Sequence, residues 1–482
     1  MSCQEPLAGS PSRLKEYPVR KPGSFNARVA VPVERFFARH KKNLVWVHVV
    51  MFLFFLVVIA LPLFLPEPAE TATAFNNFTR FANFAMWGLW FPLVFLSVIV
   101  TGRSWCGVLC PMGAAAEWAN KKGLQRPIPA WLRWEGTPIV SFLIITVLGQ
   151  TVGVRDHPEA AAGIFGGTML VAILSGYLYG KNKRAWCRHA CPIGLLLGVF
   201  SRIGAVQFAP KQHIAGGDRY TEKTPCPTMI DIPRKEESRH CIECFRCVSP
   251  QAKGGLFLQL RKPGEEVENI RDYNPNSYEV AFMFFGVGIA LGGFLWLVLP
   301  QYDVLRSVIG SWFIEHDQFW IGESGPSWLM SVHPDRREVF NWLDFMMIVG
   351  TMLACMFVFA LVLTLTTSLA SWLSGKLGGD RSFRERFIEL GYQYTPVAMV
   401  SLIIGLGGQL FDLLSLFNIS ASGIGLTKGG LFLLGLLWSV HLGNRILQRQ
   451  GLDFPQRLIP LIPGVIGSLL VGLGWWPAIF GV

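Results

Sequence analysis

Long apolar runs separated by short polar or basic segments dominate the pattern of hydrophobic and polar positions along this chain of 482 residues. Several runs reach the roughly 20 residues that a helix needs to cross a hydrocarbon core of about 30 Å. A helix satisfies its backbone hydrogen bonds within one segment, so these runs favour membrane-spanning helices and an all-α polytopic membrane protein with about nine of them. The predicted spans are residues 44–65, 84–101, 137–154, 163–180, 278–300, 344–366, 391–414, 428–446 and 457–479.

The segments between the spans divide the chain into four predicted regions. Residues 1–43 form a basic N-terminal tail, and residues 44–208 form a four-helix membrane core. Residues 209–277 form a polar loop domain rich in Cys, Pro and charge. Residues 278–482 form a C-terminal membrane module of about five helices, which includes an aromatic loop at 301–343. That loop suits helices lying on the outer membrane surface, and a partner-docking site is the alternative.

Composition and charge agree with a location in lipid. Hydrophobic residues make up 51% of the chain and charged residues 16%, with a formal net charge of +11. The basic residues cluster in loops on one side of the spans, which indicates cytoplasmic loops rather than a nucleic-acid partner. The first 43 residues are polar and basic, unlike a cleavable signal peptide. We therefore expect a bacterial inner-membrane protein with a cytoplasmic N-terminus and a periplasmic C-terminus.

Eight of the ten cysteines fall on the predicted cytoplasmic side. Cys3 lies in the polar tail and Cys355 inside an apolar helix, where a free thiol behaves as a small hydrophobic residue. A reducing compartment disfavours disulfides, and eight thiolates match two 4Fe-4S clusters with four ligands apiece. The predicted ligands are Cys106, Cys110, Cys187, Cys191, Cys226, Cys241, Cys244 and Cys247.

Four of these cysteines come from an internal repeat. The segments WCGVLCPMG and WCRHACPIG share the pattern W-C-x3-C-P-[MI]-G, each just after one predicted span and before another apolar stretch. The proline suits the first turn of a helix, and the positive N-terminal end of that helix favours an anionic cluster. Two copies with the same flanks indicate metal binding rather than packing.

The other four cysteines are Cys226 and the run CIECFRC, which begins a ferredoxin-like C-x2-C-x2-C motif. The motif lacks its last cysteine, where Gln251 stands instead. Cys226 either joins the three cysteines of the run or exchanges places with a repeat cysteine, and the sequence does not separate these partitions. A pair of all-cysteine zinc sites is the competing chemistry, although zinc prefers C-x2-C pairs.

With these motifs the chain resembles the membrane polyferredoxins of the NosR and NapH type, over residues 84–250. The resemblance implies two 4Fe-4S clusters that relay electrons between the quinone pool, or a cytoplasmic donor, and a periplasmic or membrane partner carrying flavin or haem. A related branch, the CcoG type, implies the alternative of an assembly or regulatory factor that reduces a metal or cofactor for a periplasmic oxidoreductase. Quinol dehydrogenase-like and metal-reductase-like activities both stay open, and the motifs leave the five C-terminal spans unexplained.

Clusters at the inner surface need a bridge to the outer surface, because the hydrocarbon core alone is about 30 Å thick. Ionisable residues inside spans are the candidates for such a bridge. His48 and His441 are predicted to hydrogen-bond a quinone or ligate a haem, and the alternative for each is a hydrogen bond to a neighbouring helix. His189 lies between two repeat cysteines and is predicted to tune their cluster by hydrogen bonding.

Overall fold

A computed structural model describes residues 24–69, 71–249 and 251–481 of the chain, and most of them are helical. Cys3 lies outside the described residues. The hydrophobic pattern alone predicts this helical architecture, and the fold class is confirmed.

Eight stretches of the described residues are long and apolar enough to cross a membrane. They correspond to eight of the nine predicted spans. The remaining one, predicted over 137–154, is a helix of 15 residues that is about 22 Å long. The eight stretches are Leu44–Phe64, Phe78–Thr101, Pro158–Leu178, Ser277–Val298, Trp342–Lys376, Phe383–Leu406, Ala421–Arg449 and Phe454–Phe480.

The helices up to the end of the loop domain are α1 (Phe25–His40), α2 (Leu44–Ala60), α3 (Phe78–Asn83), α4 (Phe91–Thr101), α5 (Pro111–Lys121), α6 (Thr137–Thr151), α7 (Pro158–Ala161), α8 (Gly167–Leu178), α9 (Ala185–His189), α10 (Pro192–Ser201) and α11 (Glu265–Glu268). Those that follow are α12 (Ser277–Val298), α13 (Pro300–Glu315), α14 (Trp342–Lys376), α15 (Phe383–Gly391), α16 (Thr395–Leu406), α17 (Gly408–Asp412), α18 (Ala421–Arg449) and α19 (Phe454–Phe480). Two antiparallel pairs complete the description: β1 (Val206–Pro210) with β2 (Leu256–Leu260), and β3 (Val332–His333) with β4 (Glu338–Val339).

Helix α6 runs between the two ends of the helical bundle, and its contacts define them. Just before it begins, Trp134 Nε1 donates a hydrogen bond of 3.3 Å to the Tyr278 hydroxyl at the start of α12. At its other end, Ser331 N donates a bond of 2.8 Å to Thr151 O. We call the end with the eight cysteines and Trp134 the cysteine face, and the end with Thr151 and Ser331 the opposite face.

Two short helices, α5 and α10, follow the two C-x3-C-P motifs and are too short to cross a membrane. They contain 11 and 10 residues, which makes each about 15 Å long, or half of a typical hydrocarbon core. Each begins at the proline of its motif, where the fixed φ of proline suits the first helical position. Helix α5 packs along α8, and α10 packs against α4 and α6. Both motifs therefore face the interior of the bundle.

The β1–β2 pair closes the polar loop domain, and helix α1 packs against it. Asn26 Nδ2 donates a bond of 2.9 Å to Leu260 O, and Leu260 N donates one of 3.2 Å back to Asn26 Oδ1. The Phe37 ring stacks on Phe245 at 3.8 Å within the cysteine run. The predicted N-terminal tail thus contains an ordered helix, because apolar side chains on one face of residues 25–40 find a surface on the loop domain.

A buried ion network fastens the loop domain to the membrane helices. Arg202 is fully buried, and its guanidinium lies 2.9, 2.9 and 2.7 Å from carboxylate oxygens of Glu237, Glu266 and Glu279. The Tyr392 hydroxyl donates a bond of 2.6 Å to Glu279. Removing one member would leave a buried charge without its partner, so the network fixes how the loop domain sits on the bundle.

The C-terminal module packs closely through glycines. A Cβ atom on Gly288 would lie 2.6 Å from Cys355 O, and one on Gly292 would lie 2.8 Å from Met352 Cα. Small residues spaced by four let helices α12 and α14 approach at backbone distance. Cys355 belongs to this helix contact, in agreement with its exclusion from the predicted ligands.

Candidate metal centres

The eight predicted cysteines form two separate groups of four. One group lines a cavity of about 220 Å³ among the membrane helices, and the other lines a cavity of about 80 Å³ in the loop domain. This placement matches the partition in which Cys226 joins the cysteine run. We call the two groups the membrane site (Cys106, Cys110, Cys187 and Cys191) and the loop site (Cys226, Cys241, Cys244 and Cys247).

The spacing of the sulfurs favours a cofactor larger than one zinc ion. Zinc–sulfur bonds are about 2.3 Å long, so two sulfurs on a tetrahedral zinc lie roughly 3.8 Å apart. Among the described residues, the one group of three His, Cys, Asp or Glu ligand atoms within 4.8 Å of one another lies outside both cysteine groups. The cysteines therefore surround wider spaces than a single-ion site.

The two halves of the membrane site have the same local structure. Cys110 and Cys191 precede α5 and α10 with φ and ψ of −67° and 115°, and −66° and 117°. The Cys110 sulfur accepts a hydrogen bond of 3.4 Å from Gly113 N, and the Cys191 sulfur accepts one of 3.3 Å from Gly194 N. Each sulfur caps the positive end of a helix, which is the setting predicted from the repeat.

The motif glycines lie where the two halves meet. A Cβ atom on Gly113 would lie 3.4 Å from Cys187 Sγ, and a Cβ on Gly194 would lie 2.9 Å from Cys187 O. A side chain at either position would occupy space that the opposing motif uses. The glycine in C-P-[MI]-G thus lets each helix N-terminus approach the other half of the site.

Two arginines that the sequence analysis did not single out cross between the motifs. Arg103 and Arg184 each stand three residues before the first cysteine of a copy, and this shared spacing is the signal that could have found them. Arg184 donates a bond of 3.0 Å to Cys106 O, and its Nη1 would lie 3.1 Å from a Cβ on Gly113. Arg103 Nη2 would lie 3.5 Å from a Cβ on Gly194. Each guanidinium therefore reaches the motif to which it does not belong.

Buried donors around the membrane site fit an anionic sulfur cluster. Arg103 Nε, Arg184 Nη2 and Trp186 Nε1 are buried and have no hydrogen-bond partner among the described residues. A buried N–H without an acceptor costs about 1–3 kcal/mol, so these groups call for an acceptor in the site. Thiolates and the sulfides of a 4Fe-4S cluster would supply one. The His189 ring packs against the Tyr220 ring and is not among the residues that line the membrane-site cavity, so the predicted hydrogen bond to the cluster stays a prediction.

The loop site is wound by an unusual backbone. Glu243 and Phe245, within the cysteine run, have φ of 51° and 57°, the left-handed region that non-glycine residues rarely adopt. Alternation of this kind turns successive N–H groups toward an anion. Burial raises the pKa of the Cys241 thiol to about 12, so metal binding at this thiol would release its proton.

The two sites adjoin one another. A Cβ on Gly107, inside the first C-x3-C motif, would lie 2.2 Å from Ile242 O and 2.7 Å from Cys244 Cα. Glu117 on α5 accepts bonds from Arg184 Nε at 2.8 Å and from Arg246 Nη2 at 2.6 Å. Burial alone would raise the pKa of Glu117, but these two arginines lower it to about 2. An ionic bridge thus links α5, the second motif and the cysteine run.

The two histidines predicted to bind a quinone or haem have protein partners. His48 is buried, and its Nε2 lies 3.2 Å from Gly107 O in the first motif. His441 Nε2 lies 3.2 Å from Glu268 Oε1 at the edge of the loop domain. Neither is among the described residues that line the two cysteine cavities. The His48 side chain thus contacts the backbone of the first motif. A cofactor role for either histidine stays a prediction.

The cavity of the membrane site continues toward the opposite face. Its walls are mostly apolar and aromatic, with Thr146, Gln150 and Thr168 among the few polar side chains. A second, polar cavity of about 400 Å³ lies on the opposite face. The two cavities share the wall residues Met86, Trp87, Val154, Arg155 and Phe165. Arg155 holds this wall by donating a bond of 2.8 Å to Gly405 O and packing over the Trp87 ring.

Comparison with known proteins agrees with this geometry. The family model of a 4Fe-4S binding domain matches residues 83–133 and 162–209, the two segments that carry the repeat, and the Yip1 domain model matches residues 257–479. Together with the eight long apolar helices, these matches make the chain similar to ferredoxin-type, multi-pass membrane proteins with a 4Fe-4S binding domain. The predicted resemblance to membrane polyferredoxins is confirmed. No solved structure matches the chain.

The chain is distantly similar to three known proteins. It is 28% identical over 165 residues to an uncharacterized protein of Methanocaldococcus jannaschii, covering 33% of this chain and 64% of that protein. The ferredoxin-type protein NapH of Haemophilus influenzae is 26% identical over 180 residues, covering 32% and 62%. The putative electron transport protein YccM of Escherichia coli is 25% identical over 224 residues, covering 40% and 60%. The chain thus spans less than two thirds of the length of each of these three.

Proposed function

We propose that this protein relays electrons through two 4Fe-4S clusters, one at the loop site and one at the membrane site. A donor at the cysteine face, or quinol from the membrane, supplies the electrons, and an acceptor in the membrane or at the opposite face takes them. The cysteine face is cytoplasmic and the membrane is a bacterial inner membrane in this proposal, in line with the basic loops. Such clusters supply one-electron chemistry when bound.

The observation that carries the proposal is the order of the sites along one path. The loop site lies in the polar domain, and the backbone at Gly107 brings the membrane site against it. The membrane site lines an apolar cavity, and that cavity shares a wall with the polar cavity of the opposite face. The half-helices α5 and α10 hold four cysteines inside the bundle, which shortens the distance that any further carrier must span.

The protein's own residues stabilise negative charge along this path. Arg103 and Arg184 place buried guanidinium groups at the membrane site, and the first turns of α5 and α10 present backbone N–H groups to sulfur. Positive charge and oriented N–H groups favour an anionic centre and ease the addition of an electron to it. Apolar walls keep water away and strengthen these interactions.

A quinone is the carrier that the apolar cavity suits best. Ligand cavities for such molecules are lined by aromatic and apolar side chains with a few polar groups that fix the head group. Trp90 and Phe142 supply apolar walls here, and Thr146, Gln150 and Thr168 supply the polar groups. The residues of the cavity, rather than His48 or His441, are therefore proposed to hold the quinone.

Filling the cavity tests this proposal. Thr146 lines the cavity, whereas Ile144 on the same helix points outward with 53% of its surface exposed. The reduced protein, purified anaerobically in detergent, is mixed rapidly with a short-chain menaquinone analogue. Reoxidation is followed as the recovery of the cluster absorbance that reduction had bleached. We expect Thr146→Phe to slow reoxidation at least about tenfold, with iron content unchanged, because the ring fills the quinone space.

The matched control is Ile144→Phe, which should reoxidise at the wild-type rate. Equal rates for the wild type and Thr146→Phe would contradict quinone binding in this cavity. Reoxidation by Cu(II) but not by the quinone would instead favour the metal-reducing or cofactor-reducing alternative.

A further inference from the structure

A group of side chains on the opposite face has the spacing of metal ligands. His157, Glu159 and His333 each offer one ligand atom, and these three atoms lie within 4.8 Å of one another. His157 immediately precedes α7, and His333 lies in β3, so the group joins segments far apart in sequence. We propose that these residues bind a divalent first-row transition metal ion, independently of the cysteine sites.

The segments that carry the group are held together. Ser331 N donates a bond of 2.8 Å to Thr151 O, which fixes the β3 segment against the end of α6. Gly153 has φ of 67°, and a Cβ there would lie 2.8 Å from His157 Cδ2. His157 itself is 3% exposed. The turn after α6 therefore needs glycine to place the His157 ring against its partners.

The partners of His157 fix the tautomer that a metal ligand requires. Arg336 Nη1 lies 2.7 Å from Nδ1, and because a guanidinium only donates, Nδ1 carries the lone pair. Nε2 then carries the proton, and it lies 3.1 Å from Glu338 Oε2. Nε2 makes no hydrogen bond among the described residues, and the negative charge of the adjacent carboxylate favours the proton at Nε2.

Arg336 is the group with which the ion must compete. Its guanidinium uses the Nδ1 lone pair, and its Nε also donates a bond of 2.5 Å to Glu67. Metal binding at Nδ1 would release Arg336 from the ring while Glu67 retains it. The nearby carboxylates of Asp156, Glu159 and Glu338 favour a cation.

The ring geometry requires one movement. His157 and His333 stack with centroids 3.7 Å apart and planes 14° from parallel. Parallel rings direct their lone pairs in parallel, so His333, which is half-buried at the end of a two-residue strand, must rotate to share an ion with His157.

The donor set selects the class of ion. Imidazole suits Zn²⁺, Co²⁺, Ni²⁺ and Cu²⁺, whereas Mg²⁺ and Ca²⁺ prefer sites made only of oxygen ligands. Three protein ligands at a zinc-like ion leave a position for water. The site would therefore hold an ion open to solvent or to a small molecule at the rim of the polar cavity, which His157 also lines.

Equilibrium dialysis of the full-length protein against Zn²⁺ tests the proposal. Zinc, iron and sulfide are measured together, so zinc that replaces a lost cluster is recognised by the loss of iron. We expect the wild type to bind one zinc per chain beyond its iron, and His333→Ala and Glu159→Gln to weaken this binding by tenfold or more. Arg336→Met should tighten it by roughly tenfold, because a competing positive charge is removed.

The matched control is His316→Ala, an exposed histidine on the same face that bonds to Trp312 O, and it should bind zinc as the wild type does. The proposal would be overturned if the wild type bound no zinc beyond its iron. It would also be overturned if neither ligand substitution changed the zinc binding. Weaker binding in Arg336→Met would also overturn it, because that result would make Arg336 part of the site. Iron content should stay constant in every variant, which separates this test from the proposed electron relay.

Discussion

The loop site and the membrane site each contain four thiols, but the surroundings of the two sites differ. The loop site is built by a short run of sequence whose left-handed residues Glu243 and Phe245 wind the chain around it. The membrane site is built by two distant copies of one motif, each at the start of a half-length helix, with arginines exchanged between them. The loop site therefore depends mainly on local backbone conformation, and the membrane site depends on the packing of helices.

This difference shows why the cysteine run lacks its last cysteine. A ferredoxin motif supplies all four ligands from neighbouring turns or shares them with a second run. Here Cys226 completes the loop site from upstream, and the repeat completes a second site without any contribution from the run. We therefore expect that either site can be lost without loss of the other.

Removing one cysteine from each site should give the largest effects. Cys226→Ala should lose the loop site alone and Cys191→Ala the membrane site alone, so each variant should contain about four irons where the wild type contains about eight. Iron and sulfide analysis of anaerobically purified protein measures this. Loss of all iron in both variants would mean that the sites assemble as one unit.

Substitution at the contact between the two sites should have the next largest effect, on the stability of the protein. Gly107→Ala would push a Cβ against the backbone of Ile242 and Cys244, at a cost of about 1–3 kcal/mol in the free energy of unfolding. A lower thermal unfolding temperature in detergent checks this. Gly167→Ala is the control, because a Cβ there meets no atom of the described residues within 4 Å and alanine favours the helix. Equal unfolding temperatures for both variants would argue against the close contact.

Arg184 should influence both sites, whereas Arg246 should influence mainly one. Arg184 is fully buried beside Cys187 and Cys244, and Arg246 is partly exposed within the cysteine run. Arg184→Met should lower both reduction potentials by tens of millivolts, because a positive charge that favours the added electron is lost. Arg246→Gln should shift the loop-site potential alone. Redox titration followed by electron paramagnetic resonance separates the two, and an unshifted membrane site in Arg184→Met would contradict this role.

The smallest effect is expected at the position where a ferredoxin motif has its last cysteine. Gln251 is exposed and does not line the loop-site cavity. Gln251→Cys should leave iron content and both potentials unchanged, because the ligand set is already filled. An additional or altered resonance signal in this variant would place residue 251 at the loop site.

Much of the fold and of the two sites could be predicted from the sequence. Apolar runs predicted the helical membrane architecture, since helix length is dictated by lipid. The duplicated C-x3-C-P motif predicted helix N-termini at the sulfurs, which Cys110 and Cys191 show. These features depend on local chemistry that repeats in the sequence.

Other features depend on packing between distant segments, and the sequence does not reveal them. Helix α1 was predicted as a tail because its apolar face has a partner only when the loop domain is folded. The crossing of Arg103 and Arg184 required the two motifs to face one another. The adjoining cavities are lined by side chains from helices far apart in sequence, and the partners of His48 and His441 lie on other segments.

Redox-titrated electron paramagnetic resonance on the intact protein, with iron, sulfide and zinc measured on the same sample, tests the two-site relay most directly. About eight irons per chain and two signals that develop at separate potentials are expected, one lost in Cys226→Ala and the other in Cys191→Ala. A protein with about four irons or fewer and one signal, or with zinc in place of iron, would contradict it.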